Sequence, residues 1–429
     1  MRDRTPTRAL ENGALRYGVY AEDGSLLRYE YLALEDEPAD PGTELSKATL
    51  LQDSTEVSLF GSAADRTVDD AFAGIAGQLK LIKSDMAAIT LTVQDTNGKP
   101  IPEVLVQGIL SESGQAVYTN ASGVAAGYIG QGQQVVKVSG YADVTDHSET
   151  LTVVKGTTIT KTWKLATLDF LRITASKSIK FSGNVKSVDC SRLGGGGGGG
   201  GGLAVADNES DTGAGGGAGD VVEDFGVAVT ANTLYPIVVG AGGKGGKSNS
   251  YVSYGDYTEK PPAYDGSDGG STTAFGKTAD GGKGGKGGQY TGLITGGASS
   301  NGKGADGVRY GEFASSKGKN GEDGKKTIFA SMTTTEKSGG GGASGGGGHT
   351  YNGGRAAGGS PGGGKGGYSD NYNRYHGEAG IDGKGGGGGG GGSACRYDNS
   401  EDQFDSGASD GGRGGSGCIA IRMHLKSAA

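Results

Sequence analysis

The chain has 429 residues, of which 92 are glycine and 33% hydrophobic, and a formal net charge of -8. That length allows about three domains. The acidic balance excludes sequence-independent nucleic-acid binding, which rests on lysine and arginine neutralising phosphates, and no apolar run approaches the ~20 residues of a membrane span.

The glycines are unevenly spread: 17 precede Ser191 and 75 follow. An ordinary N-terminal part is therefore joined in series to a glycine-dominated one. The opening stretch, MRDRTPTRALENG, has no apolar core, so no secretory leader is expected there. A chain without an export signal can still act outside the cell if it leaves inside a particle released by lysis. Cys190, Cys395 and Cys418 are too sparse for a disulfide framework or a zinc spacing and read as isolated buried thiols.

Residues 1–40 form a predicted N-terminal β region. Tyr17, Val19, Leu27, Tyr29 and Tyr31 alternate around Asp23-Gly24, which is a hairpin pattern; EDEPADPG follows as a polar linker. Residues 41–86 are expected to be a helical connector. Ser46 and Thr67 are its candidate N-caps, and Phe72, Ile75 and Leu79 form a narrow apolar stripe suited to self-packing. Residues 87–166 switch to six or seven short strands separated by NGKP, ESG, SG and KGT, a small β-sandwich pattern. The run V-x-D-x-x-G-x-P-I from Val93 to Ile101, followed by YTNASG at 118–123, resembles the transthyretin-like or carboxypeptidase-regulatory-like Ig-type module.

Residues 167–429 begin and end on strand-like segments, LDFLRITASKSIKFSGNVKSV and CIAIRMHL. Polyglycine is ordinarily a flexible linker. Here the runs are interrupted by Leu203, Phe225, Val227, Tyr235, Ile237 and Phe275, and the region closes on an apolar strand, which points to an ordered domain. Ordering glycine carries a large entropic cost. With little side-chain burial, the compensating term must be backbone hydrogen bonding. Polyproline-II-type helices have three residues per turn and no internal hydrogen bonds, so glycine at inward positions lets them approach and bond to several neighbours. GGKGGKGG at 281–288 fits this, with Lys283, Lys286, Arg355 and Lys365 outward. A collagen register breaks constantly, and no calcium-binding G-G-x-G-x-D register recurs. The predicted fold class is thus mainly β: an N-terminal β/short-helix region, an Ig-like sandwich, and packed polyglycine-II helices flanked by strands.

The order LRITASKSIKFSGNVKSVDCSRLGGGGGGGGG, NTLYPIVVGAGGKGG, then GGRGGSGCIAIRMHL resembles the glycine-rich domain of phage tail fibres and receptor-binding proteins. The segment GTELSKATLLQDSTEVSLFGSAADRTVDDAFAGI is similar to a connector of tail-fibre and baseplate proteins. The resemblance implies a virion structural protein attached to a tail or baseplate by its N-terminal region, a homotrimer, and recognition loops carried on polyglycine helices. Its expected partner is a receptor on the bacterial surface, a glycan or a protein.

Between the glycine runs lie tyrosine-rich segments, and 12 of the 19 tyrosines follow residue 190. The candidate receptor-binding residues are Tyr251, Tyr254, Tyr257, Tyr264, Tyr351, Tyr368, Tyr372, Arg374, Tyr375, His376 and Tyr397. Tyrosine offers rigid contact area at low entropy cost, and Asn, Ser and Asp offer adaptable hydrogen bonds. A packing role along the flanks of the array is the competing reading for each ring. No catalytic constellation, metal site or cofactor motif is found: His147, His349, His376 and His424 are scattered, and there is no G-x-S-x-G, HExxH or P-loop. The alternatives are a depolymerase cleaving surface polysaccharide, which needs converging carboxylates, a purely structural baseplate or fibre component, and a bacterial matrix protein.

Overall fold

The structure, a computed structural model, describes residues 15–20, 26–32, 85–112, 114–205, 209–251, 262–289, 293–310, 318–324, 346–347, 356–369, 374–398 and 403–426. Every regular element among them is a β-strand, as a mainly β reading requires. Two compact units divide at Met86. In the first, Leu15–Tyr20 pairs antiparallel with Leu26–Leu32, from Leu15↔Leu32 to Tyr20↔Leu26. The Asp23-Gly24 turn and the expected short helices of 41–84 lie outside the described residues.

The second unit, Ala87–Ala429, starts with a seven-stranded sheet where the Ig-like module is expected. Met86–Asp95 alternates strictly, burying Ala87, Ile89, Leu91 and Val93, because a strand sends successive side chains to opposite faces. It pairs in parallel with Thr158–Leu165, from Ala88↔Thr158 to Asp95↔Leu165. Both strands join a curled hydrogen-bonded path with Leu105–Leu110, Val124–Gly130, Gly132–Val138 and His147–Val153, with Ala116–Tyr118 on its side. The path closes on one apolar cluster that includes Ile101, Val106, Ile129, Val136 and Trp163. Leu105–Leu110 changes partner along its length, meeting Lys137 at Gln107 and Tyr128 at Leu110. Gly108 sits at that change with φ 92, and a Cβ there would overlap the Val135 carbonyl.

The motif residues of this module are turn-formers with visible tasks. Asp95 Oδ1 accepts the Asn97 and Lys99 amides, both at 2.8 Å, and Gly98 takes φ 84. Asn120 Oδ1 accepts the Ser122 and Val124 amides at 2.9 and 3.0 Å. These are Asx turns, in which a short side chain stands in for backbone.

Beyond the module, the strand Cys418–Leu425 inserts between Phe170–Ile173 and Val185–Leu193, antiparallel to both, and Val221–Ala228 forms the far edge. Ile173, Phe181, Val188, Cys190, Ile237, Ile419 and Ile421 form its core. Phe181 meets the Tyr235 and Phe275 rings at centroid distances of 5.8 and 6.4 Å. Burial pushes the Cys190 thiol up to about 12, consistent with an inert packed cysteine.

Module and sheet are joined by specific polar contacts. The buried Asp143 carboxylate accepts the Ser182 amide at 2.9 Å and the Ser182 hydroxyl. Tyr141 Oη accepts the Leu105 amide and donates to Asn232 Oδ1, both at 2.6 Å. Asn232 Nδ2 in turn donates to the Glu103 carbonyl at 2.8 Å. Burial raises the Asp143 carboxyl above its ordinary value, against the pull of its Ser182 hydrogen bonds.

Candidate functional site

The site is carried by the glycine array, so the array comes first. The run Gly194–Gly202 donates its amides in strict rotation to three chains. Gly194, Gly197 and Gly200 bond to Asp220, Gly217 and Ala214; Gly195, Gly198 and Gly201 to Gly270, Ser267 and Tyr264; Gly196, Gly199 and Gly202 to Gly415, Gly412 and Ser409. Partner numbers fall as the run advances, so these three neighbours are antiparallel. Its carbonyls accept from three others: Gly282, Gly285 and Gly288; Gly243, Gly246 and Asn249; Gly388 and Gly391. Those numbers rise, so these are parallel. A three-residue repeat in partners is the signature of the polyproline-II-type helix.

The six neighbours also bond to one another. Around the central run the order is 214–220, 280–288, 264–270, 241–249, 409–417 and 386–392, closing back on 214–220. Direction alternates at every step. A Cβ built on any glycine from 194 to 202 would overlap a neighbouring carbonyl oxygen. The central run can therefore carry no side chains, and those of the outer helices sit away from it. In 241–247, Ala241, Lys244 and Lys247 are exposed while Gly243 and Gly246, which face the central run, are buried. Lys283, Lys286 and Lys365 are outward as the spacing predicts; Arg355 lies outside the described residues.

This topology gives the array two different ends. At the Gly194 end the connections run into the sheet and its apolar cluster. At the Gly202 end, the distal end, they include the short strands that hold Tyr251, Tyr310, Tyr368, Tyr375 and Tyr397. Leu203–Val205 there pairs with Glu209–Asp211 and Asn249–Tyr251, and Glu209–Asp211 pairs with Arg309–Tyr310. Tyr368–Ser369 pairs with Arg374–Tyr375, and Ser393–Asp398 with Gln403–Ala408.

The candidate residues divide accordingly. Tyr251 lies on the strand paired with Leu203–Val205, and Tyr397 opposite Phe404 in the hairpin. Tyr264 is 66% exposed and Tyr375 49%; Arg374 and His376 flank the latter and are exposed. Tyr368 is buried, at 7% exposure, which gives it a packing position rather than an open ring. Tyr254, Tyr257, Tyr351 and Tyr372 lie outside the described residues.

A hydrogen-bonded strip links the exposed members across four helices. The Tyr264 amide donates to the Lys247 carbonyl at 3.0 Å. Lys247 Nζ pairs with Asp410 Oδ2 at 2.7 Å, and Asp410 Oδ1 accepts the Ser248 amide at 2.8 Å. The Asp410 amide donates to His376 Nδ1 at 3.1 Å. Burial acts to raise the Asp410 carboxyl, but Lys247 and Ser248 outweigh it and hold it below the ordinary carboxylate range. Lys247, Ser248 and Asp410 were not among the residues singled out from sequence. Lys244–Lys247 and Asp410–Arg413 are each spaced by three, which marks the outer face of their helices; Ser248 carries no such signal.

A family model described as a glycine-rich domain matches residues 174–424, more than half of the chain. The chain belongs to this glycine-rich domain family. The match starts just after strand Phe170–Ile173 and ends in the last strand, so it spans the polyglycine lattice and three of the four strands of the sheet. No curated protein matches the chain. Among the described residues no helix is long and apolar enough to cross a membrane.

Proposed function

We propose that this glycine-rich protein is a virion structural protein, a tail fibre or tail-tip adhesin, which binds a glycan or protein on a bacterial surface through the distal end of its array. The observation that carries this reading is the gathering of tyrosine-bearing strands, with the exposed Tyr264 and Tyr375, at one end of a hydrogen-bonded backbone lattice, opposite the end that abuts the sheet. Binding residues on loops held by a rigid scaffold are a recurrent arrangement. Exposed aromatic faces beside Arg374, His376, Lys247 and Asp410 offer stacking area together with hydrogen-bond donors and acceptors, the mixture used in antibody loops. In this reading the N-terminal unit attaches to tail or baseplate proteins, and the assembled fibre is a homotrimer. The competing alternatives are a surface-polysaccharide depolymerase and a purely structural baseplate or fibre component.

The test is mass spectrometry and antibody labelling of purified particles released from lysed cells that encode the chain. The reading expects the protein in the particle fraction, with antibodies to the glycine-rich domain decorating the tail or its tip. Recovery only in the cell matrix, with particles free of it, would overturn the assignment to a virion.

A further inference from the structure

A polyglycine lattice has no intrinsic lateral limit. Each outer helix presents amides and carbonyls at every third residue to a position where a further helix would sit, as an exposed sheet edge does for a further strand. In this chain those positions are closed in a repeated way. Asp265 Oδ1 accepts the Gly287 amide at 2.8 Å while its Oδ2 pairs with Lys286 at 2.6 Å. Asp268 does the same with the Gly284 amide at 2.9 Å and Lys283 at 2.7 Å. Asp410 takes Ser248 and Lys247, and Asp382 takes the Ser416 amide at 2.8 Å and Arg413 at 2.6 Å. Asp306 takes the Gly296 amide at 2.8 Å with Lys303 at 3.2 Å.

In every case one carboxylate oxygen occupies the place that a neighbouring chain's carbonyl holds inside the lattice, and a cation covers the carboxylate. Asp265 and Asp268 lie three residues apart on one helix, but Asp306, Asp382 and Asp410 lie on three others with different local sequences, so a shared local sequence does not explain the recurrence. We propose that these carboxylate–cation pairs close the flanks of the array against a second copy of this chain. Without them a flank becomes a docking surface whose complement is the same flank, or any glycine helix, of another copy. Lateral growth is blocked by the acceptor, which satisfies the amide, and by the side chains that stand where a helix would need to approach.

The test is light scattering coupled to size exclusion over a concentration series, on the full chain. Asp265→Ala with Asp268→Ala is expected to form larger assemblies at concentrations where the unaltered chain keeps its own mass. Asp265→Asn with Asp268→Asn loses the same charge but keeps a carbonyl acceptor for the Gly284 and Gly287 amides, and is expected to keep the unaltered mass. Unchanged mass for the alanine pair, or equal association of the asparagine pair, overturns the proposal; the latter result assigns the effect to net charge. Asp410→Ala opens a different flank by one cap and reads the same association if the alanine pair fails to fold. Unaltered mass in a folded Asp410→Ala chain then overturns the proposal.

Discussion

Gly198→Ala is expected to unfold the glycine-rich domain, or to lower its melting temperature by more than 10 °C, a shift on the order of 5 kcal/mol for a domain of this size. The added methyl meets the Lys244 carbonyl oxygen, a backbone atom. An overpacked core ordinarily relaxes by rotamer shifts at about 1–3 kcal/mol, but here no side chain is available to move. Displacing the 241–249 helix breaks the bonds that Gly243 and Gly246 donate to Gly196 and Gly199. Each buried amide left without an acceptor costs about 1–3 kcal/mol more. Lys244→Ala, on the exposed side of the same helix, is expected within about 0.5 kcal/mol of the parent. Differential scanning calorimetry separates the two variants. The single tryptophan, Trp163, is buried in the Ig-like module, so its emission should report an intact module while the glycine transition is lost.

Asp224→Ala is expected to cost about 3–5 kcal/mol, because it strands a buried cation. Arg192 is fully buried, its Nη1 lies 2.8 Å from Asp224 Oδ2, and its Nε donates to the Ala274 carbonyl at 2.8 Å. Lys277 pairs with the other carboxylate oxygen of Asp224. Arg192→Met combined with Asp224→Ala is expected to recover much of the loss, since the uncompensated charge is gone. The Lys277 hydrogen bond, followed by Arg192 against the opposing effect of burial, holds the Asp224 carboxyl below its ordinary 3.8. A depressed folded-state value means stability that is present above 3.8 and lost as pH falls through the folded value. Urea titrations between pH 7 and pH 3 should therefore show the parent converging on Asp224→Ala as acid is added. A gap that stays constant across that range would contradict the ion-pair account.

Several parts of this architecture were legible in the sequence. The period-two burial of Met86–Asp95 follows from its alternating apolar residues. The Val93–Ile101 motif announced its turn through Asp95 and Gly98. The outward lysines at 283 and 286 follow from three residues per turn. The order of the six helices around Gly194–Gly202 was not legible, because consecutive glycines carry no side-chain information that distinguishes one neighbour from another. Arg192 reads as a surface residue until Asp224, 32 positions later, is brought beside it through the pairing of Val185–Leu193 with Val221–Ala228. Tyr368 and Tyr375 look alike in the same tyrosine-rich segment. They pair across two short strands, yet one ring is buried and the other open. The carboxylate caps escaped notice because an aspartate among glycines reads as a turn or a solubilising charge, and only the lattice shows which amide it faces.

The most direct measurement of the central claim is binding of the fluorescently labelled full chain to a panel of bacterial strains, beside Tyr264→Ala and Tyr375→Ala. Both rings are exposed and neither closes the lattice, so both variants should fold. The account predicts that the parent labels some strains and that each substitution weakens labelling roughly tenfold, the effect of about 1.4 kcal/mol of lost aromatic contact. Labelling of no strain by the parent, or undiminished labelling by both variants, would contradict recognition at the distal end.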